Sequence, residues 1–174
     1  LALVHQALAA FLTQISRMIE RSLWHPVALS HAVGSQPQGA SLLGEELVLW
    51  RDAAGAAHAW ADQCPRRGAR FSLGRVTDGQ LECPYHGWRF QAGGQCTHIP
   101  AVPGFTPGAR HCARAFDTRE AHGMLWVRLA APEGPPQPIH DLPAFAADAE
   151  TRPRKTTAGP YLAQAGARRR IEAR

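Results

Sequence analysis

Near its start the chain is apolar at Leu3, Ala7, Leu8, Phe11, Leu12, Ile15, Met18 and Ile19. Spacings of three and four place them on one face of an amphipathic helix, expected over residues 1–21. The unbroken apolar run, Ala7 to Leu12, is far shorter than the roughly 20 residues that a bilayer span requires. With no basic start and no small-residue cleavage site, the segment reads neither as a membrane span nor as a leader. From Trp24 the period changes. "WHPVALSHAV" is extended, and "SLLGEELVLWRDAAGAAHAWAD" reads as two strands joined at Asp52–Gly55. Leu47 and Leu49 on one parity and Val48 and Trp50 on the other predict a strand buried on both faces. Short strands recur in "GQLECP", "WRFQ", "QCTHI", "ARAFDTRE" and "GMLWVRLA", with a turn at Gly93–Gly94. Gly- and Pro-rich joints between short strands predict an all-β sandwich or barrel.

Five prolines between residues 131 and 145 mark a linker, so the folded body is expected to end near Ala131. Three segments follow: a helix at 1–21, a β domain at 22–131, and a Pro-rich linker with a basic tail at 132–174. At 174 residues and 45% hydrophobic content, one domain has enough material for a core without disulfides. The net charge of +5 invites a nucleic-acid reading, but its distribution argues against one. Residues 151–174 hold seven Lys/Arg against one acid, whereas residues 1–150 hold twelve Arg against thirteen acids. The basic excess belongs to the tail, read as a solvated chain end, and no nucleic-acid partner is expected. Four cysteines are too few for a stapled secreted scaffold, and two sit in motif-like contexts. A reducing, cytoplasmic setting with metal-ligating cysteines is the expectation.

Those contexts are "CPRRGARFSLG" from Cys64 and "CPYHGW" from Cys83. Thiolate and imidazole donors two or three residues apart on hairpin loops allow a small β scaffold to grip iron or zinc from two sides. The candidate donors are Cys64, Cys83 and His86, with Arg66 where a fourth would stand. Pro65 and Pro84 stiffen the loops, and Gly68, Gly74 and Gly87 permit tight backbone that can aim N–H groups at a bound cluster. His58, His98 and His111 read as surface or satisfied core residues, and Cys96 and Cys112 as small buried hydrophobes. Trp88 and Phe90 are expected to pack beneath the second loop.

The pattern C-x-H-x(15–17)-C-x-x-H marks Rieske [2Fe–2S] proteins, and "CPRRGARFSLG", "LECPYHGWRF" and "IPA" resemble the Rieske domain of aromatic-ring-hydroxylating oxygenases. "LWHPVALS" resembles that family's entry strand, and "GMLWVRL" its closing strand. The likeness covers about residues 22–131. It implies a β-sandwich of antiparallel sheets with a cluster-binding subdomain. It also implies a [2Fe–2S] cluster whose inner iron is held by Cys64 and Cys83 and whose outer iron is held by His86 and by an imidazole at position 66. A guanidinium is always protonated and has no lone pair to offer.

Three readings of Arg66 stay open: a cluster with three good ligands and a substituted fourth; a fold with an absent or labile cluster; or a Cys64–Cys83–His86 site for zinc, completed by water. The resemblance further implies an electron-transfer module of an oxygenase system, within an oxidoreductase family. Its partners would be a reductase or ferredoxin and an oxygenase catalytic domain or subunit. The two-histidine, one-carboxylate iron site of that catalytic domain has no counterpart in this sequence, which reads as cut before it, so no catalytic residue is assigned. The alternatives are a standalone Rieske ferredoxin and a non-redox binding module on a degenerate Rieske fold.

Overall fold

The computed structural model describes Gln6 and residues 19–130. Of the expected N-terminal helix, Gln6 and a short piece at 19–22 are described and helical, the piece ending one residue past the expected boundary; the rest, with the linker and tail, lies outside the described residues.

Ten strands follow: β1 (His25–Leu29), β2 (Gln38–Leu42), β3 (Glu45–Arg51), β4 (Ala57–Ala61), β5 (Arg75–Thr77), β6 (Gln80–Glu82), β7 (Arg89–Phe90), β8 (Cys96–His98), β9 (Ala115–Ala121) and β10 (Met124–Arg128). They form an antiparallel six-stranded sheet, order β1-β10-β9-β4-β3-β2, and an antiparallel four-stranded sheet, order β5-β6-β7-β8. The chain enters and leaves the larger sheet on neighbouring strands, His25 facing Val127 and Leu29 facing Met124. The smaller sheet is inserted between β4 and β9. Each hairpin has a local cause. Asp52 Oδ1 accepts the amides of Ala54 and Ala56, and Gly55 adopts φ +80°, closing the β3–β4 turn that the sequence predicts.

Strand β3 is buried along four consecutive residues, and each parity serves a different core. Leu47 and Leu49 pack with Val33, Ala59, Phe116, Leu125 and Val127. Val48 and Trp50 pack with Trp60, Phe71, Leu81, Phe90 and both loop cysteines, Cys64 and Cys83. The strand is therefore the wall between two hydrophobic clusters, which is why its pattern does not alternate. In the second cluster Trp50 meets Trp60 edge-on at 4.9 Å, Trp60 meets Phe71 at 5.8 Å, and Phe71 meets Phe90 at 5.1 Å. Edge-to-face rings of this kind contribute about 0.5–1.5 kcal/mol per pair beyond area burial. They give the loops a rigid floor.

Candidate metal centre

The two loops use the same turn. In C-P-x-x-G, the Gly68 amide donates to the Cys64 carbonyl at 2.9 Å and the Gly87 amide to the Cys83 carbonyl at 3.1 Å. The Cys64 amide donates to the Ala69 carbonyl at 2.9 Å and the Cys83 amide to the Trp88 carbonyl at 2.8 Å. Both glycines are left-handed, with φ of +72° and +67°, where a Cβ is penalised. The turns aim equivalent amides at sulfur: those of Arg66 and Arg67 at the Cys64 thiol, and those of Tyr85 and His86 at the Cys83 thiol.

Residues distant in sequence bring the loops together. Asp62 is 5% exposed, and its carboxylate accepts the Ser72 amide at 2.7 Å and the Ser72 hydroxyl at 2.6 Å, tying the start of the first loop to its end. At Gly74 a Cβ would fall 2.2 Å from the Glu82 carbonyl oxygen, so only glycine allows the first loop to leave against the strand that delivers Cys83. Glu82, 6% exposed, is itself held between Arg75 and Arg89, the latter at 3.0 Å. A cavity of about 500 Å³ opens beside Cys83, Pro84, Leu73 and Gly74.

Cys64 and Cys83 are buried at 3% and 2% exposure, and their side chains hydrogen-bond each other. Sharing one proton splits them. The Cys64 thiol is pushed up, by its bond to Cys83 and by burial. Cys83 is brought down to about 6, first by the Cys64 hydrogen bond, with the Tyr85 and His86 amides and the Arg66 charge also favouring the thiolate. His86 is half-buried with its ring 3.8 Å from that of Tyr85. Desolvation, followed by the Arg66 and Arg67 charges, holds its imidazole toward the neutral form. A neutral imidazole has a lone pair for a metal.

Arg66 is turned elsewhere. Its guanidinium lies over the Trp88 ring at 5.3 Å, a cation–π contact. The donor chemistry is therefore uneven: two thiols and one imidazole fit a metal–sulfur centre, and the guanidinium does not. The set does not fit a four-ligand [2Fe–2S] cluster as it stands.

His58 is paired with Asp52 at 2.8 Å and stacks on Trp50, His111 packs between Trp88 and Phe105, and neither joins the thiols. Among the described residues no three His, Cys, Asp or Glu side chains are placed to hold one metal ion. Trp88 and Phe90 are buried beneath the second loop as expected. Cys96 is buried, whereas Cys112 is half-buried because it lies at the end of a 3-10 turn, Ala109–His111, on the surface. The roles of Asp62 and Glu82, and the contact of Arg66 with Trp88, are absent from the sequence reading. Each depends on pairings that no local spacing encodes.

The fold and the paired cysteine loops define an iron–sulfur scaffold of the Rieske type. Residues 23–114 match the Rieske [2Fe-2S] domain, and the chain belongs to that family. It is 39% identical over 120 residues to the oxidoreductase NdmD of Pseudomonas putida, covering 68% of this chain and 20% of that protein. It is 41% identical over 119 residues to methylxanthine N3-demethylase NdmB of the same organism, covering 63% of this chain and 33% of that one. Among solved structures, dicamba monooxygenase bound to dicamba superposes with TM-score 0.67 at 34% identity, over 74% of this chain and 41% of that chain. The chain thus spans well under half the length of these relatives.

Proposed function

We propose that this chain is the Rieske iron–sulfur module of an oxygenase system, standing between a reductase or ferredoxin and a mononuclear-iron catalytic domain outside this sequence. The observation that carries the reading is the paired cradle: two buried thiols in contact, between two equivalent turns whose amides point at sulfur. Amides so arranged stabilise anionic sulfur, the form in which cysteine ligates metal. Cys64 and Cys83 are the proposed ligands of the inner iron and His86 of the outer. A bound cluster supplies one-electron chemistry. Arg66 leaves the outer site one imidazole short, so the expected state of this sequence is a weakly held cluster.

The contact of Arg66 with Trp88 favours a second reading, a binding module that keeps the fold while its metal binding is altered or lost. Both readings meet in one experiment, in which the chain and its Arg66→His variant are reconstituted anaerobically with iron and sulfide. Iron content, visible absorption and the EPR signal of the reduced protein are then compared. The first reading expects little retained iron in the parent and stoichiometric iron with a Rieske-type signal in the variant. A folded Arg66→His protein that stays colourless sinks it and leaves the second.

A further inference from the structure

The cradle holds a pair of thiols whose own chemistry needs no iron. Cys64 and Cys83 are distant in sequence, yet their side chains meet through a hydrogen bond. Both loops build that contact. The Gly68 and Gly87 amides close the two turns on the cysteine carbonyls, and Gly74 lets the first loop leave directly against Glu82, the residue before Cys83. Both cysteines share one core with Trp50, Trp60, Phe71 and Phe90, which fixes their bases on a common floor. Sulfurs held in contact this way become a disulfide by closing to a bond length of about 2.05 Å.

Access to the pair is one-sided. The cavity of about 500 Å³ has Cys83 in its wall, with Leu73, Arg75, Pro84 and Gly87 around it, and Cys64 does not line it. Its volume suits a small molecule, and Leu73, 73% exposed, opens it to solvent. Cys64 lies behind, in contact with Cys83 and reached through it. The other two cysteines lack this arrangement. Cys96 is buried with its thiol donating to the His98 carbonyl at 3.7 Å, Cys112 sits half-buried at the end of a 3-10 turn, and neither lines the cavity. Thiol–disulfide exchange needs an accessible attacking sulfur and a second sulfur within reach to displace the adduct. Cys83 and Cys64 supply one each.

We propose that Cys83 and Cys64 form a dithiol–disulfide pair that exchanges with low-molecular-weight disulfides of the glutathione class, Cys83 attacking from the cavity and Cys64 resolving. In the first step the Cys83 sulfur bonds to one sulfur of the small disulfide, whose S–S bond breaks; the released half leaves as a thiolate and takes a proton from water. In the second, Cys64 attacks the Cys83 sulfur, the bond from Cys83 to the small thiol breaks, and the second half leaves with the Cys64 proton. Two protein thiols are oxidised and one small disulfide is reduced to two thiols. The bond formed withdraws both sulfurs from metal, which ligates thiolate. The step rests on the thiol pair alone; a donor set one imidazole short only leaves that pair free for it.

The test incubates the full chain, freed of iron with chelator and fully reduced, with oxidised glutathione; acid quenching, blocking of the remaining thiols and peptide mapping by mass spectrometry follow. Cross-linked Cys64–Cys83 peptides should exceed forms carrying glutathione on either cysteine by about tenfold or more, because the fold holds the second sulfur at the first. Dithiothreitol should restore both thiols. Cys64→Ser should retain glutathione on Cys83, and Cys83→Ser should slow its attachment to Cys64 by about tenfold or more, with circular dichroism showing that each variant is folded. If a variant unfolds, the map of the parent decides. The proposal is overturned if the folded parent leaves Cys64 and Cys83 unmodified, if the two carry separate glutathiones, if the single variants react equally fast, or if the cross-link forms at Cys96 or Cys112 instead. A chain that cross-links but stays colourless both as the reduced parent and as Arg66→His fails the electron-transfer reading and leaves this one standing. A chain that takes up iron but does not cross-link once freed of it does the reverse.

Discussion

The loops at Cys64 and Cys83 share one backbone and differ in what the backbone displays. Each closes with a glycine amide on a cysteine carbonyl, and each turns two amides toward its own sulfur. One presents an imidazole, His86, and the other a guanidinium, Arg66, lying over Trp88. Cradle geometry and ligand chemistry are thus separable. The turn is fixed by cysteine, proline and glycine with support from Asp62 and Gly74, and it forms whether or not the displayed side chain can bind metal.

The largest effect should come from breaking the junction between the loops. Gly74→Ala drives a methyl group against the Glu82 and Phe71 carbonyl oxygens, at 2.2 and 3.0 Å, and neither backbone can yield cheaply. Urea unfolding should show a loss of about 3 kcal/mol, the upper part of the range for overpacking, and a loss under about 1 kcal/mol would show the junction to be compliant. Removing the tie peculiar to the first loop sharpens the contrast. Asp62→Ala strands the Ser72 amide and hydroxyl and should cost about 2 kcal/mol. Amide exchange should quicken in 63–73 and not in 83–88; equal quickening would make the loops one unit.

The equivalence of the turns is tested by Gly68→Ala and Gly87→Ala. Both glycines have φ near +70°, and both would place a Cβ 3.2 Å from one side-chain atom, of Gln63 and Pro100 respectively. Thermal unfolding should report losses of about 1 kcal/mol for each, within about 0.5 kcal/mol of each other. The smallest effect concerns charge. In iron-free protein the thiolate absorbance should rise near pH 6 for Cys83, while Cys64 stays protonated well into alkaline solution. Because a positive charge favours thiolate, Arg66→His should move the Cys83 step upward. A step that stays in place would show that the amides and Cys64 set it without help from Arg66.

What the sequence made legible follows the range of the interactions involved. The two C-P-x-x-G turns, the Asp52–Gly55 hairpin and the doubly buried β3 are local patterns, and all stand in the structure. The candidate donors Cys64, Cys83 and His86 and the guanidinium at position 66 were readable for the same reason: identity at fixed spacing. What stayed hidden is long-range. Glu82 reads as one polar residue in a strand, yet it is buried between Arg75 and Arg89. Gly74 reads as a turn former, yet its φ is an ordinary −87°, and the Glu82 carbonyl is what demands glycine there. A cationic end was masked by counting charge along the chain, where the folded body comes out near neutral. It arises because the fold gathers three segments, 63–74, 83–88 and 99–113, that carry no acid.

The aromatic train beneath the loops has an optical consequence. Trp50, Trp60 and Trp88 are all buried, and their indole Nε1 groups have no hydrogen-bond partner among the described residues. Phe90 links Trp88, 6.4 Å away, to Phe71 and so to the other two. Indoles shielded from water emit at short wavelength, and a coloured centre at Cys64 and Cys83 would absorb that emission at close range. Intrinsic fluorescence should therefore be bright and blue-shifted in the iron-free protein and dim as metal enters, which makes the core its own gauge of how full the cradle is.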